Sequence, residues 1–351
     1  MRSSRVTISV IITNYNYEKF VSNAIDSVLR QTRPADEIIV IDDGSTDGSR
    51  DRIASYGNLI TPVFQANEGI KAVSNTGFAR SNGALVIYLD ADDALYPAAL
   101  ELIERAYEPG TAKIQFDLDV VDSQLKSLGR KYCNFPKNTN AETTAREFAA
   151  NGTYAWPVTS GNVYAREFLQ KVMPLTPPVS HDGVLNTIAP LYGKIVTIAE
   201  PLGLYRLHLN NISRIDDSGR INIIPDFASR IHIRKLEFDM LADHARRLGY
   251  SLPDVDFLDR ELVFVNYRLM ARKSGREDGD DARRSLMNLC LTGVSLIIRG
   301  PYRFSTRVKH LVWLVSLALA PSPLARVMME VRYNRNHLRS NFQSWIRRSR
   351  Y

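Results

Sequence analysis

The sequence predicts an α/β fold in which a mostly parallel central sheet is flanked by helices and followed by a helical C-terminal extension. Three observations predict it. Over the first hundred residues, short apolar runs rich in Val and Ile alternate with stretches of helical periodicity. Clusters of polar residues stand directly after several of the apolar runs, as they do where parallel strands end at a ligand-binding rim. From about residue 220 onward the pattern becomes helical and increasingly basic.

Val6–Ile12 is too short for a helix and reads as the first buried strand. Phe20, Val21, Ala24, Ile25, Val28 and Leu29 then recur at helical spacing. Glu37–Asp42 and Ile60–Phe64 read as the second and third strands, Gly69 to Arg80 as a helix, and Leu85–Leu89 as the fourth strand. Pro97 to Tyr107 is a further helix, opened by a proline at a first-turn position. Alternation of this kind calls for a parallel sheet covered on both faces. Residues 110–218 mix short strands with loops rich in Pro, Asn and Thr and read as the second half of the same domain. The expected organisation is one domain over 1–218, with halves at about 1–107 and 108–218, and a helical, basic region over 219–351.

The 351 residues are 44 % hydrophobic and 24 % charged, an ordinary globular composition. Two distant cysteines, Cys133 and Cys290, form no disulfide framework and no CxxC, which suits a reducing compartment such as the cytoplasm. Met1 to Arg5 followed by a short strand does not read as a secretory signal. The charge is uneven. Residues 299–351 hold eleven Lys or Arg against one acid, Glu330, while the whole chain is only +7, so the basic character belongs to the tail. No HExxH, GxSxG, P-loop or GxGxxG after the first strand is present.

Three polar clusters fall on the strand ends: Thr13-Asn14-Tyr15-Asn16, Asp42-Asp43-Gly44-Ser45 and Asp90-Ala91-Asp92-Asp93. Two carboxylates on a tight loop, Asp90-x-Asp92, suit a hard divalent cation that would bridge phosphates; the alternative is a solvated acidic turn. Asp42-Asp43-Gly44-Ser45 is either a turn closed by Asx and Ser hydrogen bonds or an acceptor for a nucleotide base N–H. Asn67-Glu68-Gly69 and Asn75-x-Gly77 are loop and helix-end chemistry or, for Asn75, a residue that holds a ligand site in shape.

Taken together these segments resemble the family 2 inverting glycosyltransferases, of GT-A, Rossmann-like fold and of the bacterial polysaccharide or lipid-linked oligosaccharide type. The resemblance rests on Ser9-Val10-Ile11-Ile12-Thr13-Asn14-Tyr15-Asn16, Gln31-Thr32, Glu37 through Asp47, Asn67-x-Gly69, Asn75-x-Gly77 and Tyr88-Leu89-Asp90-Ala91-Asp92-Asp93 in order. It implies that Thr13, Tyr15 and Asp43 hold the base and ribose of a nucleotide-sugar donor and that Asp42 supports their loop. Asp90 would approach the ribose or diphosphate, and Asp92 would bind Mn²⁺ or Mg²⁺. The general base would be Asp182, in His181-Asp182, where the family carries an acidic pair; Ser74 stands where members often carry Arg. Trp156 would line the acceptor side, by stacking on a sugar or by filling core. In Tyr205 through Ser213, His208 would complete the metal shell, and Arg206 would meet phosphate or pair with a carboxylate.

The apolar run Leu311–Ala320, ended by Pro321 and Pro323, is too short to span a bilayer, which takes about 20 residues. Beyond it, Leu324, Met328, Val331, Leu338, Phe342 and Trp345 recur at helical spacing among Arg326, Arg332, Arg335, Arg339, Arg347 and Arg348. Such helices suit an anionic membrane face, here the inner face of the cell membrane, or packing on the catalytic domain or a dimer partner. The expected partners are a nucleotide-sugar donor and a saccharide or lipid-linked saccharide acceptor, with no nucleic acid. The rival readings are a metal-dependent nucleotidyltransferase and a non-catalytic nucleotide-sugar binder.

Overall fold

The computed structural model describes residues 5–176, 181–208, 227–275, 284–300 and 303–333. The tail positions Leu338, Phe342 and Trp345, the arginines from Arg335 onward, and Leu209–Ser213 lie outside the described residues.

The strands follow the apolar runs. β1 (Ile8–Asn14) is buried along its whole length, as expected of a strand covered on both faces. α1 (Val21–Leu29) buries Val21, Ala24, Ile25 and Val28, and β2 (Glu37–Asp43) follows. α2 (Ser49–Ala54) is a short helix with one apolar anchor, Ile53. Then come β3 (Thr61–Gln65), α3 (Ile70–Arg80), β4 (Leu85–Asp90), β5 (Ala94–Leu95) and α4 (Ala99–Ala106). The second half contributes β6 (Thr111–Asp122), β7 (Ser127–Lys131), α5 (Ala141–Asn151), β8 (Asn162–Ala165), α6 (Arg166–Val172), α7 (His181–Ile188) and β9 (Lys194–Leu207).

All nine strands join one sheet in the order β3-β2-β1-β4-β8-β6-β9-β5, with β7 on β6. The first four are parallel. β8 runs antiparallel to β4 and to β6, and β6 is again parallel to β9. The classical α/β alternation is therefore confined to the first half, and a mixed sheet completes the fold. α3 lies tight on the sheet: a Cβ on Gly77 would meet Ile11 Cγ2 at 2.6 Å and Ile41 Cδ1 at 3.2 Å, so only glycine allows this approach.

Contacts divide the chain into two units, one of residues 1–207 and 239–253, the other of residues 208–238 and 254–351. α8 (Phe227–Arg247) contributes to both. In the second unit, α9 (Leu262–Ser274), α10 (Leu286–Arg299), α11 (Phe304–Leu319) and α12 (Ser322–Tyr333) pack around buried Val265, Leu269, Leu289, Ile297, Leu314 and Leu317. Buried arginines there are paired: Arg234 with Glu237 at 2.7 Å and with Glu261, and Arg268 with Asp256 and Asp259, both at 2.7 Å. Among the described residues no helix is long and apolar enough to cross a membrane.

Candidate active site

Register places the polar clusters on one rim. Asn14 of β1 stands opposite Asp42 of β2, and Thr13 opposite Asp90 of β4. Asp42 and Asp90 are therefore about two strand spacings, roughly 10 Å, apart at the carboxyl ends of the parallel strands.

The Asp42 carboxylate is fully buried and held on three sides. It accepts from Asn14 Nδ2 at 2.8 Å, from the Ser45 amide at 3.1 Å and from Arg50 Nε at 2.8 Å. Asp43 faces the loop after β3: its Oδ1 accepts from Gln65 Nε2 at 2.8 Å and the Glu68 amide at 3.0 Å, and its Oδ2 from the Gly69 amide at 2.8 Å. Its carboxylate thus organises the 65–69 loop. Gly44, between these acids and Ser45, has φ +75°, and a Cβ there would lie 2.6 Å from the Asn67 amide nitrogen. Both the backbone conformation and the space demand glycine. Tyr15 is exposed, while Thr13 is buried and its hydroxyl donates to Asp90 Oδ1 at 3.2 Å.

The loop after β4 gathers Asp90, Asp92 and Asp93, whose ligand atoms lie within 4.8 Å of one another. Asp93 is used inside the protein: Oδ2 accepts from the Ser160 hydroxyl at 2.6 Å and Oδ1 from the Arg206 amide at 2.9 Å. Ser160 also accepts from the Asp90 amide at 3.1 Å, and Arg206 donates through Nε to the Asp92 carbonyl at 2.7 Å. The loop is thereby fastened from the Ser160 turn and from β9. The Arg206 guanidinium is buried over the Phe20 ring, 4.8 Å from its centroid, and serves to fix this loop.

Three carboxylates this close, out of bulk water, resist ionisation together. Burial, then Asp92, then Asp182 push Asp90 up to about 8, and Asp93 is raised well above the usual range by burial and its two neighbours. The same charges add to burial in raising the phenols of Tyr17 and Tyr205. A hard divalent cation fits this donor set, because it would offset the mutual repulsion with oxygen ligands only. Both Asp93 oxygens already accept from protein donors, and Asp90 Oδ1 accepts from Thr13.

Asp182 is the second residue of α7, where an acid suits the helix N-terminus, and its Oδ1 accepts from the Gly183 amide at 2.9 Å. Its charge is felt by Asp90, so it stands within electrostatic reach of the acidic loop. His181 is buried edge-on to Tyr88, with ring centroids 5.4 Å apart. Asn75 clamps the segment leading toward α7. Its Nδ2 donates to the Leu175 carbonyl and its Oδ1 accepts from the Leu175 amide. Trp156 is half-buried in the loop between α5 and the Ser160 turn. His208 follows β9 directly and begins the second unit.

Ser160, Arg206 and Tyr17 thus surround the acids more intimately than the sequence suggests. Their only linear signals are the Ser160-Gly161-Asn162 run, the Tyr205-Arg206 pair and the second tyrosine of Tyr15-Asn16-Tyr17. Neither spacing nor periodicity reveals that residues 67 and 113 positions from Asp93 bond its two oxygens.

Residues 9–173 match the family described as Glycosyl transferase family 2. The chain is 38 % identical over 209 residues to an uncharacterized glycosyltransferase of Nostoc sp., covering 57 % of this chain and 65 % of that relative. With the uncharacterized glycosyltransferase YibD of Escherichia coli it shares 28 % identity, over 64 % of this chain and 68 % of the relative. The chain thus spans just under two thirds of the Nostoc protein's length. Among solved structures, S. aureus TarS 1-349 has the same fold, with TM-score 0.53, 18 % identity, and coverage of 93 % of this chain and 91 % of that one. A TarS 1-349 structure in complex with UDP-GlcNAc gives TM-score 0.52 at 15 % identity, over 93 % and 92 % of the two chains.

Proposed function

We propose that the protein is an inverting, metal-dependent glycosyltransferase that moves a sugar from a nucleoside-diphosphate donor, a UDP-sugar, to an acceptor hydroxyl. The observation that carries this reading is the cluster of Asp90, Asp92 and Asp93 at the end of β4, whose ligand atoms lie within 4.8 Å of one another. The family 2 match and the structural likeness to a protein crystallised with UDP-GlcNAc support it.

Thr13, Tyr15 and Asp43 bind the base and ribose, with Asp42 beneath their loop. Asp43 Oδ2 accepts one hydrogen bond from the 65–69 loop and keeps a second lone pair for a base N–H. Asp90 faces the ribose or diphosphate. Mn²⁺ or Mg²⁺, held by Asp92 with Asp90 and His208, would neutralise the diphosphate as it leaves. Asp182 accepts the acceptor hydroxyl's proton while that oxygen bonds to the anomeric carbon from the face opposite the breaking carbon–oxygen bond. The nucleoside diphosphate departs with the electron pair of that bond, and the configuration inverts. Asn75 holds the segment leading toward α7, and Trp156 lines the acceptor side.

The acceptor class we propose is a saccharide or lipid-linked saccharide in surface polysaccharide or lipid-linked oligosaccharide synthesis. The protein would act in the cytoplasm at the inner face of the cell membrane, which its basic C-terminal helices contact peripherally. A thermal-shift panel of nucleoside diphosphates and nucleotide sugars, with and without Mn²⁺, tests the donor reading. A Mn²⁺-dependent rise with UDP and UDP-sugars is expected, and no response to any nucleotide would defeat it.

A further inference from the structure

Among the described residues, the second unit presents an apolar face to solvent. On α11, Phe304, Val308, Val312, Val315 and Leu319 are all exposed, Phe304 by 81 % and Leu319 by 80 %. Their steps of 4, 4, 3 and 4 residues align them along one side of the helix for roughly 22 Å. The opposite side carries buried Leu314 and Leu317. α10 repeats the arrangement: Met287, Leu291 and Ile298 are exposed at helical spacing, while Leu289, Gly293 and Ile297 are buried. Its inner face is tight, since a Cβ on Gly293 would meet Leu314 Cδ2 at 2.6 Å. These two helices therefore show water the side chains that a core normally takes. Apolar surface in contiguous stripes marks an interaction site, whereas scattered exposed residues do not.

We propose that the exposed stripes of α10 and α11 dock on an anionic lipid bilayer, lying in its interface rather than crossing it. The proposal deepens the peripheral membrane contact suggested above and rests on it. Length excludes crossing, for α11 has 16 residues where a span takes about 20. Charge selects the partner. From Leu286 to Tyr333 the sequence holds six Lys or Arg against one acid, Glu330. Arg299, Arg303 and Lys309 are exposed. On the helical wheel Arg307 and Lys309 fall about 100° to either side of the α11 stripe centre, where cations bordering an inserted apolar face meet lipid phosphates. A second copy placed stripe to stripe would bring these cations against each other, while an anionic surface neutralises them. The stripes are made of aliphatic residues, one methionine and one phenylalanine, whereas protein hot spots are enriched in Trp, Tyr and Arg.

Flotation of the full chain with vesicles of phosphatidylcholine, alone or with about one third phosphatidylglycerol, tests this. The wild type should float with the anionic vesicles and be released by about 0.5 M salt. Val312→Asp with Leu319→Asp should lose at least about tenfold in vesicle binding, while the exposed control Leu59→Asp should not. Both substituted side chains are in solvent, so unchanged melting temperature and donor binding keep the result interpretable. If the double variant floats like the wild type, the stripe assignment falls and membrane contact stands. If the wild type floats with neither vesicle, both fail, and donor binding still reports on the glycosyltransferase reading. A dimer that Val312→Asp and Leu319→Asp dissolve, without flotation, would identify a second copy as the occupant and overturn the proposal.

Discussion

Asn75 holds Leu175 by both ends of its side-chain amide, donating to the carbonyl at 3.0 Å and accepting from the amide at 2.8 Å. One residue of α3 thereby replaces a strand partner for a segment 100 positions away that leads toward α7 and Asp182. The two halves of the first unit share this clamp.

Asn75→Ala should therefore cost about 1–3 kcal/mol of stability, the worth of two hydrogen bonds in a part-buried setting. Its effect on UDP-sugar turnover should exceed its effect on UDP affinity if Asp182, toward which the clamped segment leads, is the base. Chemical denaturation and a nucleoside-diphosphate release assay check the two parts.

Ser160→Ala removes a hydroxyl that accepts from the Asp90 amide and donates to Asp93. A buried carboxyl deprived of a donor is expensive, so a loss of about 1–3 kcal/mol is expected, with weaker Mn²⁺ binding from a loosened loop. Thermal melts with and without Mn²⁺ would reveal it. A melt unchanged in both conditions would mean that the Ser160 bridge does not hold the acids.

Gly77→Ala and Gly44→Ala should both destabilise, for different reasons. At Gly77 the added methyl overpacks Ile11 and Ile41, a cost of about 1–3 kcal/mol. At Gly44 positive φ adds backbone strain to the clash with Asn67. The Gly44 variant should also lose UDP affinity, since it displaces the loop that Asp43 organises; the Gly77 variant should keep it when folded.

How much of this was legible in the sequence depends on how local each feature is. β1, β2, β3 and β4 announce themselves as short Val/Ile runs, and α1 and α4 by their periodic apolar faces. β6 alternates apolar and polar residues from Ala112 to Val120, but that pattern does not reveal that its polar positions Lys113, Gln115 and Asp117 are buried as well. Asp117 is paid back only by the amides of Cys133, Asn134 and Phe135, bonds between distant positions. α2 has Ile53 as its sole apolar anchor, too little for a pattern. The acids at strand ends were readable as a rim. Their fastening by Ser160 and Arg206 was not, since long-range hydrogen bonds leave no period in the chain.

Lys113 offers a pH test. Its side chain is fully buried, and its ammonium group bonds only to Gln115 Oε1 at 2.9 Å and the Tyr154 hydroxyl at 3.2 Å. Burial drives its pKa well below the ordinary 10.5. Between the folded value and about 10.4 the unfolded chain binds the extra proton, so this group makes stability rise with pH, by up to about 1.4 kcal/mol per unit. Lys113→Met should flatten that rise. Denaturation of both proteins from neutral to alkaline pH checks it, and parallel profiles would show that Lys113 does not carry the slope.

In the proposed reaction Asp182 takes the acceptor's proton while the acids of the β4 loop serve the donor. The most direct measurement pairs UDP titration with UDP release from UDP-sugars in Asp182→Asn, with Asp92→Ala alongside, in Mn²⁺. The account predicts UDP affinity within about threefold of wild type and release lowered by about 10²–10⁴ in Asp182→Asn, with both lost in Asp92→Ala. Wild-type release in Asp182→Asn would contradict it.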